Sequence, residues 1–445
     1  MNQILTTARK SVIPTKKLEN EKNSVAKLAF ELVISQIKKH SEILDVEFGG
    51  SYAKGTWISA EQGGDIDIFI KFKKETTEKK FIEISKKVGF QALKKFHPYV
   101  KYSDHPYVEA KIKTTKVNVV PCYNVEKGEW KSAADRTHFH TQFMLESLSG
   151  EMKNDVRLLK KFLMNNGIYG AEIARQGFSG YVAEVLIWNF GSFENVLKEF
   201  AKISVGQIIG KATKEFDTVI SILDPIDGNR NLAAAISEEN IGKFVLASRE
   251  FLKKPSMHFF RSRKRRVKSE ILKNIVIVRF QFKARSPDII WGQIKRASSA
   301  LNMQLKLAGF KVIRNAAITD EANDASLIFL LDSVIIPELF VREGPEYFNE
   351  SDATSFIKKN KKTSKLLWVA SNRRVCSLDN RKHNEAKKFL TYLLSKNLSN
   401  SGVPAGIKKD IKKFKILTGN MHTSKSIKEA IAEMASTDEI LFSSN

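Results

Sequence analysis

The sequence predicts a multidomain protein that joins an α/β unit to an α+β unit, and three observations lead there. Its 445 residues suggest several domains at roughly 100 to 200 residues each. The first 140 residues alternate helical and strand periodicities around a glycine-rich turn. After a basic run at 261–268, "RSRKRRVK", a fresh strand, helix, strand, strand series begins, an order typical of an α+β sandwich.

Residues 18–40 carry Leu18, Val25, Leu28, Ala29, Leu32, Val33 and Ile37 near helical spacing until Ser41 and Asp45 interrupt the pattern. From Val46 to Phe72 the chain reads as a short strand, a tight Gly-rich turn with a loop, and a second strand, "DIDIFIKF". A helix is expected over about 76–96. "YVEAKIKTTKVNVVPCY" then reads as two strands joined at a tight turn around Thr114. Residues 1–140 thus form one predicted domain.

A second, mostly helical domain is expected over 141–257. Met152, Val156, Leu159 and Leu163 line one side of a helix at 151–166 that stops at Gly167, and Ser179 caps a buried helix in "FSGYVAEVLIWNF". A third domain, 258–445, opens with the strand "IVIVRFQF", a helix near 288–308, and strands at "KVIRNAAI" and "ASLIFLL". The last 90 residues read as helical and Lys-rich, with Ala386, Phe389, Leu390, Leu393 and Leu394 on one stripe.

Composition excludes several classes. Hydrophobic residues make up 42% and Phe alone counts 29, too apolar for a chain that stays disordered. Cys122 and Cys376 lie too far apart for a disulfide framework or a Cys-rich zinc site. The most apolar stretch, Ala325 to Val341, is interrupted by Asp332, Pro337 and Glu338, so no membrane partner is expected. The basic start, with Arg9, Lys10, Lys16 and Lys17, lacks a following apolar segment of an export signal. A cytoplasmic protein is the expectation. Lys and Arg total 74 against 49 Asp and Glu, a net +25, and that surplus points to a polyanion, nucleic acid above all.

The segment "GGSYAKGTWISAEQGGDIDIFIKF" carries the chemistry. Gly49, Gly50 and Ser51 would turn so that backbone N–H groups and a hydroxyl hold phosphate oxygens. Asp65 and Asp67 are two apart on a strand, so their carboxylates share a face. Like charges held together are costly without a cation between them, and hard oxygen ligands suit Mg²⁺ with substrate phosphates. A triphosphate grip followed by a metal-holding strand is the minimum apparatus for nucleotidyl transfer.

These residues also carry a resemblance. "GSYAKGTW", "DIDIFI", "HPYVEAKI", "VNVVPCY", "SAADRTHFH", "NDVRLLKKFL", "GIYGAE", "GFSGY", "DPIDGNRNLAA" and "REFLKKPS" together resemble the archaeal, class I CCA-adding enzymes, with a looser match in the C-terminal third. The resemblance implies a polymerase beta-like nucleotidyltransferase domain, a helical domain completing the nucleotide site, and an RNP-like α+β body with a helical tail that binds tRNA. It implies template-independent addition of CCA to tRNA 3′ ends from CTP and ATP. Gly50, Ser51 and Lys54 are thereby assigned to the triphosphate and Asp65 and Asp67 to the metal. His140, Lys160 and Tyr169 line the nucleotide, and Arg230 helps read the base. A class II carboxylate and Arg signature has no clear match.

One position departs from the family. Its third catalytic carboxylate falls at Asn118, whose amide oxygen can ligate a metal but brings no charge and cannot act as a base. With Lys113 and Thr114 at the turn centre Glu109 would pair opposite Asn118; with Thr114 and Thr115 it would lie diagonally on the same face. A three-residue loop would send it to the other face. Glu109 is thus one candidate for the missing carboxylate. The alternatives are an enzyme working with two carboxylates and an amide, a tRNA-binding homologue that has lost catalysis, and a poly(A) polymerase-like transferase. Basic segments "KKNKKTSK" at 358–365 and "KKDIKKFK" at 408–415, with Phe259 and Phe260 beside the run at 261–268 for stacking, suggest a tRNA-gripping C-terminal half. Oligomeric state, a homodimer included, is left open.

Overall fold

The computed structural model describes residues 1–59, 64–102, 105–261, 267–419 and 424–442. They form two compact units, Met1–Lys264 with Asp438–Asn445, and Arg265–Thr437.

The first unit begins with helices α1 (Asn2–Val12) and α2 (Lys16–Ile37), the second capped by Thr15, whose hydroxyl accepts from the Leu18 N–H. Then follow β1 (Ile43–Gly49), α3 (Gly50–Lys54), β2 (Ile66–Phe72), α4 (Glu78–Ala92), β3 (Tyr99–Lys101), β4 (Tyr107–Ile112) and β5 (Thr115–Tyr123). The five strands lie in the order β1-β2-β5-β4-β3, with β2 parallel to β5 and the other pairs antiparallel. Val25, Ala26, Ala29 and Val33 of α2 and Phe81 and Val88 of α4 share one core with Ile66, Ile68, Ile70 and Phe72 of β2. Since side chains alternate along a strand, Asp67, Phe69 and Lys71 project from the opposite face. One face of the sheet packs on α2 and α4; on the other Phe69 and Lys71 are also buried, and Asp67 lies beside them. The expected tight turn after β1 is instead the short helix α3, because Gly50 at φ +63° swings the chain straight into it.

The helical part contains α5 (Arg136–Ser147), α6 (Gly150–Asn165), α7 (Gly180–Phe190), α8 (Phe193–Lys202) and α9 (Glu238–Lys253). It also holds a small sheet that periodicity missed: β6 (Gln207–Ile209), β7 (Ile220–Asp224) and β8 (Asp227–Asn231), in that order. Phe162, Phe178, Phe193, Phe200, Phe244 and Phe251 fill the core. Phe259 and Phe260 join them, Phe259 stacked on Phe162 with centroids 5.6 Å apart. The expectation that they stack on nucleic acid is therefore corrected: apolar rings beside a basic run found a more favourable place in the core.

The second unit comprises α10 (Ser269–Leu272), β9 (Ile275–Gln281), α11 (Pro287–Leu307), β10 (Val312–Thr319), β11 (Asp324–Leu331), β12 (Leu339–Glu346), α12 (Glu350–Asn360), β13 (Leu366–Val369), β14 (Arg374–Asn380), α13 (Ala386–Lys396), α14 (Ala405–Ile411), β15 (Lys415–Thr418) and α15 (Lys425–Met434). Its main sheet runs β10-β11-β9-β15. Val276, Val278, Leu327 and Phe329 pack with α11, α13 and α14, while Ile275, Ile277, Ile328 and Leu330 pack with α15. Burial on both faces explains why "IVIV" and "LIFLL" lack polar alternation. The predicted β-α-β-β order is present. The wholly helical tail is not: β13, β14 and β15 lie within it, and β12-β14-β13 form a second sheet. A last helix, α16 (Glu439–Phe442), contributes Leu441 to the phenylalanine-rich core of the first unit.

Candidate active site

The face of the five-stranded sheet opposite α2 and α4 carries one row of residues drawn from every strand. Gly49 pairs with Asp67, Asp67 with Asn118, Asn118 with Glu109, and Glu109 with Tyr99. The register comes from the β4–β5 turn, where Lys113 adopts φ +55° and Ile112 pairs with Thr115, so the two-residue turn centred on Lys113 and Thr114 is the one formed.

Asn118 donates its Nδ2 to Asp67 Oδ1 at 2.8 Å. Its Oδ1 is buried and accepts no hydrogen bond among the described residues. Burial pushes the Asp67 carboxyl up to about 6, with the Asn118 bond opposing. Burial also raises Asp65, against the pull of Lys116 and with the push of Glu109. Among the described residues no group of three or more His, Cys, Asp or Glu side chains is arranged to hold a metal. The set here is two desolvated carboxylates and an orphaned amide oxygen, hard donors that a divalent cation would satisfy. Glu109 is 2% exposed; the Tyr99 hydroxyl donates to its Oε1, and Lys101 lies 3.2 Å from its Oε2. Its carboxylate is therefore engaged on the far side of Asn118.

Next to this row α3 presents Ser51 and Lys54. Gly50 permits the approach: a Cβ on it would fall inside Asp67 Oδ2. Lys54 is buried and ion-paired with Glu184 of α7. Lys160 of α6 shares that carboxylate at 3.1 Å and donates to the Thr56 carbonyl at 3.2 Å. Burial alone would raise Glu184, but both ammoniums and their hydrogen bonds outweigh it and hold the carboxyl at about 2. Tyr169 stands by these groups, since a Cβ on Gly180 would meet its hydroxyl at 2.9 Å and Lys160 at 3.4 Å.

A second buried carboxylate, Asp224 at the end of β7, gathers the remaining candidates. His140 Nε2 lies 2.8 Å from its Oδ2, Arg230 Nη1 donates to the same oxygen at 3.2 Å, and the Tyr181 hydroxyl donates to Oδ1 at 3.0 Å. The His140 and Tyr181 rings lie 3.9 Å apart, and Lys54 Nζ is 5.2 Å from the Tyr181 centroid. Burial lowers the His140 pKa even though Asp224 opposes it. Asp224 is held below its ordinary value because its hydrogen bonds and the His140 charge outweigh its own burial. All ten candidate residues thus lie in the first unit. Lys54 and Lys160 converge on one carboxylate, His140 and Arg230 on another, and Asn118 on Asp67.

Three family models match in succession: a nucleotidyltransferase domain at 31–144, the second domain of tRNA nucleotidyltransferase at 154–261, and the C-terminal domain of CCA-adding enzyme at 272–419. A CCA-adding enzyme of Saccharolobus islandicus is 35% identical over 365 residues, covering 81% of this chain and 86% of that protein. Those of Pyrobaculum islandicum and Sulfolobus acidocaldarius are each 34% identical, covering 81% and 85% of this chain and 85% and 88% of theirs. The chain belongs to the CCA-adding enzyme family.

In this member of the family, sequence reasoning missed Glu184, Asp224, Tyr181 and Lys22. Glu184 has a signal, one acid in the apolar run "YVAEVLIW", and Lys22 has another, a lysine on the buried stripe of α2 ahead of Val25, Ala26, Ala29 and Val33. Asp224 closes a strand whose five residues are all buried. Residues 262–266 of the basic run lie outside the described residues. In the second unit Lys358, Lys359, Lys361, Lys362 and Lys365, and likewise Lys409, Lys412, Lys413 and Lys415, are exposed. Among the described residues no helix is long and apolar enough to cross a membrane.

Proposed function

We propose that this protein adds C, C and A to the 3′ end of tRNA from CTP and ATP, with Asp65, Asp67 and Asn118 Oδ1 holding Mg²⁺. The observation that carries this reading is the orphaned Asn118 oxygen beside Asp67, with the Gly50–Lys54 helix packed against the same carboxylate. The metal would supply charge neutralisation at the reacting phosphate and leaving pyrophosphate.

The protein's own groups do the rest. Ser51, Lys54 and Lys160 receive the triphosphate, and Glu184 keeps the two ammoniums aligned until it arrives. Tyr169 and His140 wall the nucleotide, and Arg230, fixed by Asp224, faces the base. The tRNA 3′ hydroxyl attacks the α-phosphorus and pyrophosphate leaves in line. Residues 1–140 carry the chemistry, 141–257 complete the nucleotide site, and 258–445 hold tRNA through exposed lysines, in the cytoplasm.

The test is incubation of tRNA lacking its 3′ CCA with CTP, ATP and MgCl₂, read by mass spectrometry. Addition of two C and one A, stopping there and abolished by Asp67→Asn, is the expected result. Endless A addition would instead mark a poly(A) polymerase-like transferase. Asn118 favours one other reading, a tRNA-binding homologue without turnover. It requires the wild type to incorporate nothing while Asn118→Asp incorporates C.

A further inference from the structure

The site contains one more lysine, and its circumstances differ from those of Lys54 and Lys160. Lys22 projects from α2 and is 3% exposed. Its Nζ donates to the Gly64 carbonyl and lies 4.2 Å from the centroid of the Trp57 ring. That ring belongs to a segment clamped from α6, since Arg157 donates to the Trp57 carbonyl at 2.9 Å and to the Gly55 carbonyl at 2.6 Å. A Cβ on Gly64 would lie 3.2 Å from Ser51 Oγ and 3.9 Å from Lys22 Nζ. The ammonium therefore sits across Gly64 from the Ser51 hydroxyl, within the field of Asp65 and Asp67.

Lys54 and Lys160 each have a carboxylate partner, the Glu184 they share, which leaves that cluster one positive charge in excess. Lys22 has no carboxylate within 4.0 Å among the described residues. A buried, unpaired ammonium is unfavourable unless an anion comes to it. Of its three N–H donors one goes to Gly64 and the others have no acceptor among the described residues. Asp65 and Asp67 compensate it only from a distance, and cations bound to them would remove even that.

We propose that Lys22 binds the polyphosphate of the incoming nucleotide opposite Ser51 and, after transfer, the pyrophosphate that leaves. This rests on the nucleotidyltransferase reading and deepens it. The clamped Trp57 ring holds the ammonium in place by cation–π attraction, so little side-chain entropy remains to be lost when phosphate arrives. Without nucleotide, Lys22 also lends positive charge to the two aspartates.

The test is equilibrium binding of CTP, pyrophosphate and CMP to the full chain and to Lys22→Gln and Lys22→Arg, with melting curves for each. Both variants can donate to Gly64, and only arginine keeps the charge. Lys22→Gln is expected to weaken CTP and pyrophosphate by about tenfold or more, the scale of one charge-assisted hydrogen bond. It should leave CMP within about twofold, and Lys22→Arg should recover most of the loss. Wild-type affinity of Lys22→Gln for CTP would reduce Lys22 to a pin for Gly64 and overturn the proposal. An equal fall for CTP and CMP would overturn it too, because phosphate count would then be irrelevant. If the wild type adds C to tRNA while Lys22→Gln binds normally, only the role of Lys22 fails. A wild type that binds CTP but adds nothing removes the broader reading instead.

Discussion

Glu184→Gln is expected to destabilise the folded protein by about 3 kcal/mol at neutral pH and by much less in acid. Glu184 is 1% exposed and lies between Lys54 and Lys160, with the Thr56 hydroxyl donating to Oε1. Its carboxyl goes from 4.5 to about 2 on folding, as burial is overcome by the two ammoniums. At about 1.4 kcal/mol per unit that is about 3 kcal/mol. The folded value lies below the unfolded one, so the contribution is complete above 4.5 and disappears as pH falls toward 2. By the same linkage about 2 kcal/mol should be gone at pH 3. Urea unfolding of both proteins at pH 7 and pH 3 measures the difference at each. Pyrophosphate should also raise the midpoint of the variant more than that of the wild type, since it gives the two lysines another anion. A gap between the proteins that is the same at both pH values would refute the reasoning, because the loss would then be of shape or neutral hydrogen bonding rather than charge.

Gly50→Ala should leave the fold recognisable and cost about 1–2 kcal/mol for a left-handed alanine. A Cβ driven into Asp67 Oδ2 should also depress CTP incorporation by about a hundredfold; near-normal incorporation would mean that Asp67 can move without penalty. Glu109→Gln removes the charge that, after burial, holds the Tyr99 hydroxyl up at about 12, so ultraviolet titration should find Tyr99 ionising at lower pH. If Glu109 supplies the charge Asn118 lacks, the same variant should lose about tenfold in metal-dependent turnover. Unchanged turnover would confine it to anchoring Tyr99 and Lys101.

What sequence could reveal depended on the range of the interaction. Strand parity put Asp65 and Asp67 on one face and narrowed Glu109 and Asn118 to a few alignments, of which the turn at Lys113 and Thr114 selects one; the pairing of Asp67 with Asn118 joins parallel strands 51 residues apart and no local rule gives it. The helix α3 was not readable, since five residues that begin at Gly50 and stop at Gly55, both with positive φ, are too short to show a period. The strand β8 is spelled "DGNRN", residues disfavoured in sheets, and forms because Asn231 Oδ1 accepts from Ile222 N–H at 3.0 Å and ties it to β7. Strand β13 is four residues that follow a lysine run, and β14, "RVCSLDN", mixes polar and apolar residues between Arg373 and Arg381. The carboxylates were hidden differently. Glu184 meets Lys54 across 130 residues and Asp224 meets His140 across 84, distances over which no periodicity operates. Composition announced a surplus of positive charge and was silent on which few negative groups would arrange it.

The orientation of Asn118 links these levels. An ionised Asp67 attracts the Nδ2 side of the amide, as the 2.8 Å bond records, and turning the amide over would set two oxygens against each other. That same preference leaves Oδ1 buried and without a donor among the described residues, a condition that a bound cation would relieve. An aspartate here would put a second full charge beside Asp67, already raised to about 6 by burial, and would need a metal to stay ionised. Asparagine lets the site fold with Asp67 charged before any metal binds, at the cost of one unit of attraction for the metal. The physical consequence of Asn118→Asp is therefore a protein less stable without Mg²⁺ and more strongly stabilised by it, whatever happens to turnover.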